Sequence, residues 1–259
     1  MYQEERLVEI VGYLKRHERI SIEQICSLFN VSRDTARRDL VKLEEQRLIV
    51  RTRGGAILPA VNQEILNYTN RLKQVSEEKK AIGKKAASLI YPGDKVIFDA
   101  TTTVQACAEQ MDPIDCTVIT NSINIANILS SKPKIDIQLL GGKLHKEHQF
   151  LYGIDVLDKL SNYYVNKAFI GITGISEQGI TDGYEEEGIV KKKMIEQAKQ
   201  VIVLADHTKL GKTGFYQFAD LSNVDIFITD QIPPKSFRDI LNSYHVELLT
   251  IEQDEEEDE

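Results

Sequence analysis

Apolar residues at Leu7, Ile10, Val11 and Leu14 recur at the i, i+3, i+4, i+7 spacing of a single helix face, which predicts an amphipathic helix near the start of the chain. Ser21 stands three residues before Gln24, a pairing that caps a helix start through reciprocal side-chain and backbone bonds. The second helix it opens is expected to place Ile22, Ile25, Leu28 and Phe29 on one face. Asn30-Val31 interrupts the pattern. Ser32 then caps a third helix that carries Asp34 in its first turn, where the helix dipole favours negative charge. Two short helices across so tight a turn have the helix-turn-helix layout.

At about 100° per residue, Ala36, Leu40 and Leu43 of the third helix fall together and face a core. Asp34, Thr35, Arg37, Arg38, Val41 and Lys42 then lie on the outward or flanking surface. Such a face fits a major groove about 12 Å wide, with Arg and Thr offering groups to bases and phosphates. It also fits an ordinary solvated face carrying pairs such as Asp34 with Arg38. The segment that follows favours the first alternative. Leu48 to Arg53 is strand-like, Gly54-Gly55 suits a positive-φ hairpin turn, and Ala56-Ile57-Leu58 returns before Pro59. Arg51 and Arg53, two apart on the strand, would point to one side, as a wing gripping phosphate requires.

Beyond residue 81 the periodicity changes to alternating strands and helices. Strands are expected at Lys95–Phe98, Thr117–Thr120, Ile135–Leu140, Ala168–Gly171, Val201–Leu204, Asp225–Ile228 and Val246–Leu249, with helices running to about Met111 and through Ile128. This alternation predicts an α/β domain with a mainly parallel sheet. Polar residues collect just past the carboxyl ends of successive strands, where open α/β sheets bind ligands. They are Asp99 with Thr101, Thr102 and Thr103; Thr120, Asn121 and Ser122; Gly141 and Gly142; Gly171; and Asp206 with Lys209. Hydroxyls and backbone N–H groups at a helix start suit a phosphate, and Lys209 could add positive charge. Each group taken singly also suits a helix cap or a turn. His145 and His148 lack a Cys or acidic partner at metal-ligand spacing and read as loop histidines, so no metal is expected.

Composition fits this division. Of 259 residues, 42% are hydrophobic and 28% charged, as in an ordinary globular protein. Net charge is −8, yet residues 1–58 carry 11 basic and 9 acidic side chains, leaving 21 basic and 31 acidic for the rest. The acidic excess therefore lies away from the basic helix and includes the closing run Asp254 to Glu259, read as a disordered tail. The three cysteines form no close pair, the start lacks a signal peptide, and no apolar run reaches membrane-spanning length, so a cytoplasmic location is expected.

Glu5-Arg6, the run Ser32-Arg33-Asp34-Thr35-Ala36-Arg37-Arg38-Asp39-Leu40, and Arg53-Gly54-Gly55-Ala56 resemble the DeoR family of bacterial regulators, as do Arg71-Leu72 and Glu77-Glu78-Lys79-Lys80. Family members commonly carry Ile or Val at the position of Ala36 and often His at that of Arg53. The resemblance extends to about residue 250 and implies operator binding, usually repression of carbohydrate-use genes. It also implies an effector domain similar in fold to ribose-5-phosphate isomerase and coenzyme A transferases, sensing a phosphorylated sugar or sugar alcohol. The family loop Asp-x-Gly-Thr/Ser-Thr appears here as Asp99-Ala100-Thr101-Thr102-Thr103, with Thr101 at the Gly position. A Cβ there would narrow the approach to phosphate or forbid a positive φ.

The expected organisation is a winged helix-turn-helix over 1–58, a helical linker over 59–78, a sugar-phosphate-sensing α/β domain over 79–252 and an acidic tail over 253–259. DNA-binding residues are expected to be Ser32, Arg33, Thr35, Arg37, Arg38, Lys42, Arg51, Arg53 and Gly54. The implied partners are double-stranded operator DNA, a phosphorylated sugar effector and a second copy in a homodimer or homotetramer, with no cofactor and no membrane. The competing class is a sugar-phosphate isomerase or CoA-transferase-like enzyme, with Asp99, Asp206 and Glu185 to Glu187 as candidate bases.

Overall fold

A computed structural model describes residues 2–17, 19–46, 48–57, 68 and 77–251. Leu58 and Pro59, the acidic tail and all of the expected linker except Tyr68, Glu77 and Glu78 lie outside the described residues. The chain divides into two compact units, Met1–Ile65 and Leu66–Glu259.

The first unit comprises α1 (Gln3–His17), β1 (Arg19–Ser21), α2 (Ile22–Phe29), α3 (Arg33–Glu45), β2 (Val50–Thr52) and β3 (Gly55–Ile57). Ser21 and Gln24 form the full capping box, with Gln24 N donating to Ser21 Oγ at 3.1 Å and Ser21 N to Gln24 Oε1 at 2.8 Å. Asn30 takes the left-handed conformation (φ 50°) that ends α2, and Ser32 Oγ accepts from Thr35 N to start α3. Leu7, Ile10 and Leu14 of α1 meet Ile25 of α2 and Ala36, Leu40 and Leu43 of α3 in one core. Leu28 departs from expectation and is 53% exposed. Counting i+3, i+4 and i+7 from Ile22 selects Ile25, Cys26 and Phe29, and those side chains pack inward.

The wing is three-stranded, because β1 pairs antiparallel with β3 and β3 with β2, giving the order β1-β3-β2. The turn is Arg53-Gly54, so Arg53 lies beyond the strand that carries Arg51. Neither Gly54 nor Gly55 adopts the positive φ expected of the turn. What Gly55 supplies is close approach: a Cβ there would sit 1.9 Å from the Ile20 carbonyl oxygen of β1.

The second unit is built on a seven-stranded parallel sheet whose strand order, from one edge to the other, is 247–250, 226–229, 198–204, 165–171, 95–98, 116–120 and 135–139. The strands are β4 (Lys95–Phe98), β5 (Cys116–Thr120), β6 (Ile135–Leu139), β9 (Val165–Gly171), β12 (Ala198–Leu204), β14 (Ile226–Thr229) and β15 (Glu247–Thr250). Val96 and Phe98 of β4 join Phe169, Ile202 and Leu204 beneath α4 (Glu77–Ala87), α5 (Thr102–Gln110) and α6 (Ile123–Leu129). The alternate residues Ile97, Ala168, Ile170 and Val203 face α7 (Ile154–Leu160), α8 (Glu185–Glu196) and α9 (Lys235–Ser243). Both faces are buried, which is why these strands read as continuous apolar runs.

Two antiparallel pieces were not foreseen. The hairpin β7 (Lys143–His145) with β8 (Phe150–Tyr152) is one; the sheet of β10 (Gly174–Ser176), β11 (Gly179–Asp182) and β13 (Tyr216–Ala219) is the other. Tyr68, buried in this unit, donates its N–H to Glu147 O at the hairpin tip (2.9 Å) and its hydroxyl to Gln105 Oε1 of α5. Among the described residues no helix is long and apolar enough to cross a membrane.

The wing geometry yields a paired test. Gly55→Ala should cost about 1–3 kcal/mol through the clash with Ile20, whereas Gly54→Ala, which meets open space, should stay within about 0.5 kcal/mol. Urea denaturation followed by circular dichroism checks both; equal effects would remove the close-approach explanation.

Candidate functional site

In the first unit, the outward surface of α3 is basic and solvent-facing. Arg33, Asp34, Arg37, Arg38 and Val41 are exposed; Thr35 and Lys42 are half-buried. The basic partner of Asp34 is not the one expected: Asp34 lies 3.7 Å from Arg37, one turn on, rather than pairing with Arg38. Arg33 reaches Glu23 (3.0 Å), Lys42 reaches Glu4 (2.6 Å), and Arg51 lies 3.6 Å from Glu44 while its N–H donates to Glu44 Oε1. These are exposed pairs of small net worth, so phosphate can displace the acidic partners at little cost. Arg53 and Gly54 are exposed at the wing tip.

Two residues of the sequence motif have another task. Asp39, on the core side of α3, is fully buried, and Arg6 of α1 bonds it with both Nε (2.6 Å) and Nη2 (3.2 Å), while Gln3 Nε2 adds a third donor at 2.9 Å. The Arg6 guanidinium is held above its ordinary pKa by the hydrogen bond it donates to Asp39's carboxylate, with burial opposing and the charge of Asp39 assisting. This bidentate pair fixes the angle between α1 and the recognition helix.

In the second unit, five strand ends form an unbroken row. β12, β9, β4, β5 and β6 are consecutive neighbours in the sheet, and their carboxyl ends lead to Asp206, Gly171, Asp99, Thr120 and Gly141 in that order. Chain order reverses between β9 and β4, so the middle of the row is the topological switch point where such sheets hold ligands.

At that switch point the expected residues are packed against one another. Asp99 Oδ1 accepts from Thr101 N (2.9 Å) and Thr101 Oγ1 (2.7 Å), and Asp99 Oδ2 accepts from Gly171 N (2.8 Å). A Cβ on Gly171 would come 2.1 Å from Thr101 Oγ1, so the threonine fills the space the glycine leaves. Thr101 has φ −82° and caps α5, its hydroxyl accepting from Val104 N. The position needs no positive φ, and its hydroxyl is committed to Asp99. The concern raised by the missing glycine is thus answered for the backbone. Thr102 and Thr103 follow as the first buried turn of α5.

Farther along the row, Thr120 Oγ1 accepts from Ser122 N and Ser122 Oγ from Ile125 N. Asn121 clamps the hairpin: its carbonyl accepts from Leu151 N (2.9 Å) and its Nδ2 donates to Leu151 O (3.0 Å). Leu140 N donates to Thr120 O, which sets Gly141 and Gly142 beside β5; Gly142 fits closely against Tyr152 O, and Gly141 meets open space. His145 stacks on Phe150 (5.0 Å between ring centres, 15° between planes), and both His145 and the buried His148 contact Tyr184. The two histidines are part of an aromatic cluster. At the other end, burial raises the Asp206 carboxyl, but the Thr208 hydrogen bond and the charges of Lys209 and Lys79 outweigh it and hold the group below the usual carboxylate range. His207 Nδ1 lies 2.5 Å from Asp230 Oδ2.

The feature that sequence reasoning missed is Lys191. Its side chain, 2% exposed, bonds Gly171 O (3.0 Å), Glu187 (3.0 Å) and Asp182, and lies 3.4 Å from Asp99. One ammonium thus joins the ends of β4, β9 and β11 to α8. A signal was present: Glu187, Val190, Lys191 and Met194 share the i, i+3, i+4, i+7 stripe of α8, all buried, and a charged pair on an apolar stripe calls for buried partners. Burial raises the Asp99 carboxyl against the pull of Lys191 and its hydrogen bonds; burial and then Glu187 raise Asp182. Burial opposes the charge on Lys191, yet Asp182, Glu187 and Asp99 together push its pKa up.

Comparison with known proteins places both units. The model of the DeoR-like helix-turn-helix domain matches residues 6–61, and that of the DeoR C terminal sensor domain matches residues 74–231. The chain is 65% identical over 258 residues, covering 100% of both sequences, to the HTH-type transcriptional repressor GlcR of Bacillus subtilis (strain 168). It is 32% identical over 250 residues to the glycerol-3-phosphate regulon repressor of Escherichia coli (strain K12), covering 96% of this chain and 99% of that one. Among solved structures, ribose 5-phosphate isomerase A of Methanocaldococcus jannaschii matches 52% of this chain and 54% of its own at 18% identity, with a TM-score of 0.39. That likeness is too slight to argue from.

The buried quartet predicts a pH-dependent cost for losing its cation. Asp99 and Asp182 have raised native pKa values, so between about pH 4 and those values the native state binds more protons than the unfolded chain, and their contribution to stability falls as pH rises. The raised Lys191 acts fully throughout this range. Lys191→Met should cost about 3–5 kcal/mol at pH 7.5, where the carboxyls face no counter-charge, and clearly less at pH 5, toward which Asp99 and Asp182 take up protons. Urea denaturation at both pH values measures this; an equal loss at each would show that the quartet is not charged as described.

Proposed function

The chain belongs to the DeoR family of DNA-binding transcriptional regulators, and we propose that it is a cytoplasmic repressor of carbohydrate-use genes whose hold on its operator is set by a phosphorylated sugar. The observation that carries this reading is its end-to-end 65% identity with a protein named as a transcriptional repressor. The phosphorylated effector is supported by the relative named for a glycerol-3-phosphate regulon and by the row of five strand ends.

In this reading α3 enters the major groove. Arg37 and Arg38 reach base edges or phosphate, Ser32, Arg33, Thr35 and Lys42 flank them, and Arg51, Arg53 and Gly54 of the wing hold the backbone. A homodimer or homotetramer reads paired half-sites, since operator symmetry mirrors protein symmetry. In the second unit the phosphate lies at the α5 start, where Thr102 and Thr103 offer backbone N–H groups and hydroxyls, with Lys209 completing the charge. Ligand binding and operator binding then shift one conformational equilibrium and must be coupled reciprocally.

Catalysis is not needed for this role, and the candidate bases are poorly placed for it. Asp99 and Glu187 face the Lys191 ammonium, and Asp206 accepts from Thr208 N at 3.0 Å. Each of these carboxyls is engaged by a partner within the fold and not turned to a substrate carbon. The regulator is proposed to work without a cofactor.

Arg37→Ala and Arg38→Ala should each weaken operator binding by about 1–3 kcal/mol, roughly ten- to a hundredfold, without altering the circular dichroism spectrum. Arg51→Ala should weaken binding to every sequence alike and flatten the dependence on salt by about one counterion. Fluorescence anisotropy with an operator fragment at several salt concentrations checks these outcomes. Unchanged affinity in both α3 variants would exclude that face as the reader.

A further inference from the structure

Among the described residues two buried side-chain atoms lack a hydrogen-bond partner, and they lie three residues apart: Asn121 Oδ1 and Asn124 Nδ2. Both follow β5, within the row of strand ends. Asn121 is 2% exposed, and its amide orientation is fixed because Nδ2 donates to Leu151 O; a flipped amide would set oxygen against oxygen. The Thr120 and Ser122 hydroxyls accept from backbone N–H groups, and neither donates to Asn121 Oδ1. A buried polar atom without a partner costs about 1–3 kcal/mol. One such atom is an acceptor and the other a donor.

The chemistry of the occupant follows from that complementarity. A hydroxyl both donates and accepts, so a ligand carrying several hydroxyls can satisfy both amides. A phosphate dianion only accepts and would leave Asn121 Oδ1 unpaired. We propose that Asn121 and Asn124 form the hydroxyl subsite of the effector pocket, reading the sugar portion of the ligand rather than its phosphate. This rests on the phosphorylated-sugar reading above. It adds Asn124, and it assigns Asn121 a role distinct from phosphate binding.

The test is calorimetric titration of the full-length wild type, Asn121→Ala and Asn124→Ala with inorganic phosphate, glycerol 3-phosphate, ribose 5-phosphate and glucose 6-phosphate. Asn124→Ala leaves both Leu151 bonds in place, so it reports on the subsite even where Asn121→Ala loosens the hairpin. The compound that the wild type binds most tightly should lose about tenfold or more in each variant, the worth of one hydrogen bond to a buried polar group. Inorganic phosphate should bind all three proteins within about twofold. Undiminished sugar-phosphate binding by Asn124→Ala, or an equal loss for inorganic phosphate, overturns the subsite while leaving the phosphorylated-sugar reading intact. Failure of the wild type to bind any of the three organic phosphates overturns that reading and the subsite with it.

Discussion

A single buried ammonium organises the carboxyl edge of the sheet. Lys191 draws together Asp99 after β4, Gly171 after β9, Asp182 at the end of β11 and Glu187 one turn back on its own helix. Without a cation there, three carboxyls and a backbone carbonyl would converge in a region closed to water, at a cost that is a large share of what a domain has to spare. The rest of the row depends on this point. Asp99 is held for Thr101 and Gly171, and Thr101 caps α5, the helix start proposed above for the phosphate. A site assembled from several strand ends needs such a tie, because each loop alone would drift.

The DNA-facing unit uses the same device more simply. Arg6 and Asp39 form a buried bidentate pair across the α1–α3 contact, and the exposed arginines stand on the opposite side of α3. The family motif therefore mixes two kinds of residue. Arg37 and Arg38 are available to a ligand, whereas Asp39 and Arg6 hold the helix that presents them. Sequence alone does not separate these roles, because a charged run has the same appearance whether it points outward or inward.

Much of the architecture was legible in the chain. The i, i+3, i+4 spacing located α1 and α3, Ser21 with Gln24 and Ser32 marked helix starts, and apolar runs, or in β6 an apolar–polar alternation, marked the seven strands of the parallel sheet. Misses have local physical causes. Leu28 was grouped by hydrophobicity alone, where the stripe counted from Ile22 selects Cys26. Gly55 was assigned to a positive-φ turn, but it is required by the nearness of β1, a contact made by residues over thirty positions earlier. The β7–β8 hairpin and the β10-β11-β13 sheet are strands of three or four residues, too short for a period to show. Lys191 stood in plain view on an apolar stripe; its three carboxyl partners, scattered from Asp99 to Glu187, become neighbours only in the fold. Asn124 carried no signal, since an unpaired amide is a property of surroundings and not of sequence.

The central claim is that one chain couples a DNA reader to a phosphorylated-sugar sensor. The most direct measurement is operator affinity, by anisotropy at fixed salt, as sugar phosphates are titrated in. The account predicts that one phosphorylated sugar changes operator affinity by about tenfold or more, with the operator changing affinity for that sugar by the same factor. Operator binding that no phosphorylated sugar alters would contradict it.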